Sequence, residues 1–234
     1  MTTGNETSRN KRTPGSTRGR LIEATLELIA EEGGSQGVNL RGVSRRVGCA
    51  HTNAYNYFDN YGELLWAAFG QGLQIYGRQL IKGLDVAMPA EAYLQRTVRN
   101  LATFPQENPG LYRFIGSDPI DLAAIPADVM EMVSAMKGWF AAVVGAAAGP
   151  RVAEDEAREM ADIVLAYVDG ETLNLINGRA IAGEDLSGRV VTNALRLFDL
   201  LTRDASDGHE RGRKGGPGLP APDSIFGITE RAVS

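Results

Sequence analysis

The 234-residue chain is 43% hydrophobic and 23% charged, with a formal net charge of -5, an ordinary balance for a globular protein long enough to bury a proper core. One cysteine, Cys49, excludes a disulfide framework within the chain, and two distant histidines, His51 and His209, argue against a metal cluster. No run of about 18 apolar residues offers to span a bilayer, and the first twenty residues are polar, so neither a membrane nor a secretory route is expected and the default address is the cytoplasm.

The charge is unevenly spread. Residues 1–60 carry eight basic and six acidic side chains, a balance of +2, which leaves -7 on the remainder. A basic head on an acidic body is what a nucleic-acid-binding protein would show. Residues 1–16 are Thr, Asn, Ser, Gly and basic, which predicts a disordered basic arm that could add phosphate contacts. Thr17 is placed to cap a first helix from Arg18 to about Glu32, with a stripe of Leu21, Ile22, Thr25, Leu28 and Ile29, ended by Gly33-Gly34.

A second, short helix follows. Asn39 is a competent N-cap; Leu40, Val43 and Val47 repeat at helical spacing, and Arg41 and Arg45 share the opposite side. Gly48 stops this helix and Cys49 plugs the corner. A third helix should start at once, with Ala54 and Phe58 inward and His51, Thr52, Asn53, Tyr55 and Asn56 outward, Tyr57 beside them. That outward set lacks Lys, Glu and Arg but holds amides, a hydroxyl, an imidazole and phenols, groups that hydrogen-bond base edges and phosphates. A tight glycine turn between two such helices predicts a helix-turn-helix.

Val47-Gly48-Cys49, then Tyr55, Phe58 and Glu63-Leu64-Leu65, resemble the DNA-binding domain of TetR-family transcriptional regulators over roughly residues 17–66. Two positions depart from that pattern. Ala50 stands where the family has Ser or Thr, leaving the third helix to be capped weakly or by Thr52 or Asn53. Tyr61 stands where the family has Lys, so a phosphate contact there is lost or supplied by a phenol. The resemblance implies a sequence-specific regulator, a ligand-responsive repressor that binds a palindromic double-stranded operator as a homodimer. Its DNA-facing residues would be Thr17, Arg18, Arg41, Arg45, His51, Thr52, Asn53, Tyr55, Asn56 and Tyr57.

Beyond Gly62 the pattern is of longer helices: about Tyr61–Leu84, Ala90–Phe104, a short one from Asn108-Pro109, Ala127–Ala148, about Val152–Ile181 and about Leu186–Thr202. The apolar stripe of the last is too wide for one neighbour, which points to a homodimer through residues 152–181 and 186–202. Residues 204–234 read as a disordered tail, apart from the apolar run Ile225-Phe226-Gly227-Ile228. The expected architecture is all-α: a helix-turn-helix domain over 17–60 and an effector-binding and dimerisation body of about six helices over 61–203.

Asp169 falls about 40° from Leu165 at 100° per residue, on the flank of an apolar stripe. A carboxylate there is paired, for instance by Arg179, or anchors a small-molecule effector in a pocket with Phe104, Phe114, Met132, Met136 and Trp139. A constitutive DNA binder without an effector is the alternative; an all-α enzyme is a remoter one, because no nucleophile elbow, metal-ligand pair, phosphate loop or paired-carboxylate site stands at informative spacing, and no cofactor is expected.

Overall fold

The computed structural model describes residues 15–121, 124–179, 186–207 and 218–226, and among them every regular element is helical. The head consists of α1 (Thr17–Glu32), α2 (Leu40–Val47) and α3 (His51–Ala54). The α1 cap is Ser16, whose hydroxyl accepts from the Gly19 N–H at 3.1 Å, so Thr17 is the first helical residue rather than the cap. The predicted ends of α2 hold: the Asn39 side chain accepts from Gly42 N at 3.0 Å, and Gly48 closes the helix at φ 74°, a conformation that favours glycine.

The body is α4 (Tyr61–Leu80), α5 (Ala90–Glu107), α6 (Pro109–Gly116), α7 (Ala127–Ala148), α8 (Glu154–Ile176), α9 (Leu186–Asp207) and a 3-10 turn at Pro222–Phe226. α4 stops short of the expected Leu84 because the Asn100 amide on α5 donates to the Leu80 and Lys82 carbonyls at 2.8 and 3.0 Å. That side chain satisfies the last orphan acceptor of the helix, Leu80, and the Lys82 carbonyl just beyond it, while the Ile81 and Lys82 N–H groups take the Gly77 and Gln79 carbonyls. α5 runs past Phe104 and through Pro105, both of them buried. α8 ends at Ile176, not Ile181, with Gly178 at φ 67° just beyond; residues 180–185 lie outside the described residues.

Hydropathy and composition mislead at α7 and in the tail. α7 is long and apolar enough to cross a bilayer by length and composition, contrary to expectation, yet its Trp139, Phe140, Val143 and Val144 pack into the body core against α5 and α8. Residues 204–234 are not disordered throughout: α9 continues to Asp207, and Ile225 in the 3-10 turn is fully buried. The remainder of that tail, and residues 1–14 of the expected arm, lie outside the described residues.

Two cores hold the fold. One joins head to body, as Leu21, Ile29, Val43 and Phe58 pack in the same cluster as Leu64, Phe69, Phe104, Leu111 and Phe114. The boundary expected at residue 60 is therefore not a gap in packing. The other core lies among α5, α7, α8, α9 and the 3-10 turn. α6 clamps head and body together. Its Arg113 donates to the Gly33 carbonyl at 2.8 Å, to Asn177 Oδ1 at 3.0 Å and to the Ile176 carbonyl, joining the C-terminal ends of α1 and α8. A guanidinium suits both ends, since exposed carbonyls make a helix C-terminus negative. Just after α6, Asp118 accepts from the Ser35 backbone N–H and hydroxyl at 2.6 and 2.8 Å.

Candidate nucleic-acid interface

The first motif helix separates its arginines by task. Arg46 reaches back to α1 and forms ion pairs with Glu31 at 2.5 Å and Glu27 at 3.3 Å, which holds the Glu31 carboxyl below its usual range. Arg41 and Arg45 are exposed on α2 and make no ion pair among the described residues. Two cations left facing water beside a basic helix end are available to an anionic backbone.

α3 is shorter than expected, four residues, but the helical path continues: Asn56 N bonds Asn53 O, and Tyr57 N and Phe58 N both bond Ala54 O. Ala50 caps it with no side-chain hydrogen bond, and neither Thr52 nor Asn53 supplies the missing cap. What fixes the segment is burial of Ala54 and Phe58, at 1% and 2% exposure. Burying Phe58 contributes about 1.5–3 kcal/mol. Outside lie His51, Thr52, Tyr55, Asn56 and Tyr57, with Asn53 half-buried. Tyr55 is 49% exposed, and the His51 ring stands edge-on to it at 5.4 Å. The Asn56 amide donates to Asn53 Oδ1 at 2.8 Å, which leaves the Asn53 amide N–H and the Asn56 carbonyl as a donor and an acceptor side by side.

Three neighbouring positions are structural supports. Thr17 Oγ1 accepts from Arg20 at 3.3 Å, and the Arg18 guanidinium lies 4.8 Å from the centroid of the Phe58 ring, bracing the base of α3. The Tyr61 hydroxyl donates to the Val38 carbonyl at 2.9 Å, and burial pushes its pKa up to about 12. The phenol at the position where a phosphate contact was expected is thus spent inside the head. Sequence reasoning missed this bond and the Arg46 pairs, because each joins elements separated in the chain.

The residues expected around an effector pocket are divided between the cores. Phe104 and Phe114 pack in the head-side core with Met132, Trp139 packs in the other, and Met136 touches both. An open cleft of about 570 Å³ runs between α1, α4 and the start of α7, lined by Arg18, Glu23, Trp66, Gln71, Gln74 and Met132 among others; only Met132 of the expected set belongs to it. Asp169 meets neither Arg179 nor that cleft. It accepts from the Tyr112 hydroxyl at 2.5 Å, with Tyr76 packed behind Tyr112 at a ring separation of 6.1 Å.

Burial raises the Asp169 pKa, opposed by the Tyr112 hydrogen bond and the Lys137 charge, and burial likewise raises the Tyr112 and Tyr76 phenols. A carboxyl whose folded pKa lies above its unfolded value opposes folding once ionised, and the cost is relieved as pH falls through the raised pKa. Asp169→Asn, which keeps an acceptor for Tyr112, is therefore expected to melt above the parent at pH 7, with the difference shrinking toward pH 4. Thermal melts at the two pH values check this; a variant that melts lower at pH 7 would show that the ionised carboxylate is stabilising.

No family model and no curated protein matches the sequence. Solved structures do. A transcriptional regulator from Rhodococcus sp. Rha1 superposes with a TM-score of 0.63 at 18% identity, over 82% of this chain and 98% of the other. A fatty acid degradation regulator from Bacillus halodurans gives 0.59 at 17% identity, over 82% and 97%. A TetR variant from Acinetobacter baumannii in complex with minocycline gives 0.56 at 17% identity, over 80% and 97%.

Proposed function

We propose that this chain, whose all-α fold is that of the TetR-family transcriptional regulators, is a sequence-specific DNA-binding regulator rather than an enzyme, a repressor acting in the cytoplasm. The observation that supports this most is the surface of α2 and α3. On a turn fixed by Asn39 and Gly48, two arginines without ion-pair partners among the described residues flank an exposed set of amides, phenols and an imidazole. Arg41 and Arg45 then neutralise phosphates, while the linked Asn53 and Asn56 amides offer the donor and acceptor that adenine matches in the major groove. His51, Thr52, Tyr55 and Tyr57 complete the contact; Thr17 and Arg18 stand at the margin, Arg18 over the Phe58 ring and Thr17 accepting from Arg20.

A homodimer through α8 and α9 would read a palindrome. Val190, Val191, Ala194 and Phe198 are buried within the chain, so α9 spends much of its stripe internally. Left over are Ile163 at 38% and Leu200 at 55% exposure, with Leu197 half-buried. An effector would act through the body; to be its polar anchor, Asp169 would have to exchange its bond with Tyr112 for one to the ligand. The effector can shift DNA binding only by its differential affinity for two arrangements of the heads.

Titration of duplex DNA at several salt concentrations tests the interface. Arg41→Ala should weaken all sequences alike and reduce the salt slope by about one unit. Asn56→Ala should cost about 1–3 kcal/mol on the preferred site and spare non-specific binding. Parent-like behaviour of both variants would remove this surface from the reading.

A further inference from the structure

A stretch of the tail that reads as disordered is instead seated on the body. Residues 218–226 lie across α4, α5 and α7. Ile225 is fully buried, and the Phe226 ring fills a notch over Gly77: a Cβ built on that glycine would stand 2.4 Å from the ring's Cζ. Two side-chain donors receive the incoming backbone, Tyr93 Oη donating to Pro220 O at 3.0 Å and Trp139 Nε1 to Ala221 O at 3.2 Å. The Ser224 N–H and hydroxyl also bond Ala221 O, at 3.1 and 2.6 Å, folding the segment into its 3-10 turn. Pro220 and Pro222 have no N–H, so the strap enters offering carbonyls to a groove that offers donors. Burial and the Asp223 carboxylate push the Tyr93 phenol up to about 12, which keeps it a donor.

Gly77 belongs to the helix that carries the head. α4 begins at Tyr61, whose hydroxyl holds the Val38 carbonyl of the head, and the strap sits some 16 residues along it, a lever of about 24 Å. We propose that residues 219–226 are an intramolecular ligand of the groove between α4, α5 and α7, and that their seating holds α4 in the arrangement that binds DNA. The inference rests on the DNA-binding reading above, but the seating itself can be measured without DNA. A groove that takes an aliphatic–aromatic pair together with the Pro220 and Ala221 carbonyls is matched to this segment, and attachment to the same chain makes occupancy independent of protein concentration. Release of the strap removes its contact with α4 at Gly77 and leaves Asn100 and Leu80 to hold that half of the helix; the heads then spread over more orientations and the fraction competent to bind falls.

The test uses full-length parent, Phe226→Ala and Gly77→Ala; the latter adds the blocking Cβ while improving the helix propensity of α4. Hydrogen exchange over residues 74–82 and 136–142 reads seating, and duplex titration well below the melting temperature reads coupling. Both variants should lose protection at those residues and bind duplex about tenfold more weakly, within the usual range of allosteric coupling. A synthetic peptide of residues 218–226 added in trans should restore protection and affinity to Phe226→Ala but not to Gly77→Ala, whose notch is closed. Lost protection with parent-like affinity would overturn the coupling and leave a merely structural seal. Unchanged protection in both variants would overturn the seating. A parent that binds no duplex would overturn the DNA-binding reading and the coupling together, while exchange still decides whether the strap is a ligand.

Discussion

Gly110→Val is expected to lower stability by about 3 kcal/mol, at the upper end for overpacking, because the group it meets is backbone. A Cβ on Gly110 would stand 2.5 Å from the Ile29 carbonyl oxygen and 3.1 Å from the Gly33 Cα, so α6 rests directly on α1. Neither helix can yield without also disturbing Arg113, which holds the Gly33 and Ile176 carbonyls from the same turn of α6. For a chain of this length the loss corresponds to a fall in melting temperature of roughly 6–12 °C. Gly138→Ala is the matched control. Gly138 lies inside α7 with nothing within 4 Å of the added Cβ, so alanine there should be neutral or stabilising by up to about 1 kcal/mol. Equal melting temperatures for parent and Gly110→Val would mean that the close contact between α1 and α6 does not carry the head.

Leu200→Glu is expected to release monomers and to reduce affinity for a two-site duplex by about 10²–10³-fold, because the second head would then bind independently instead of at the effective concentration set by the dimer. Leu200 is the choice because it is 55% exposed; Phe198, two residues away and 6% exposed, belongs to the internal core, and a charge there would unfold the body instead. Sedimentation separates the outcomes. A variant that sediments like a dimeric parent would move the contact off Leu200, and a parent that sediments as a monomer would remove the proposed dimer.

How much the sequence disclosed depended on whether the deciding contact was local. Asn39 and Gly48 bound α2 through bonds that span three or four residues, and Pro126 and Gly149 flank α7, so both helices end where the pattern puts them. α4 is ended by Asn100, twenty residues further on, and no periodicity within α4 contains that information. Arg41, Arg45 and Arg46 look alike along the chain, yet among the described residues only Arg46 finds carboxylates, because α1 passes beside it. Asp169 could be placed on the edge of an apolar face from helix geometry, whereas its partner, Tyr112, lies 57 residues away and replaces the expected Arg179. The tail shows composition misleading most plainly. Its prolines and glycines predict disorder, and the pair Ile225-Phe226 overrides them by finding a closed apolar slot and a glycine notch.

Whether α2 and α3 read a specific duplex sequence is decided by selecting bound duplexes from a random pool with the full chain. Enrichment of one palindromic motif, with half-sites about one helical turn or a simple multiple apart and a preference at adenine that Asn56→Ala relaxes, is the predicted result. A pool that stays random after repeated rounds at moderate salt, or a motif indifferent to substitution of Asn56, Tyr55 and Arg41, would contradict it.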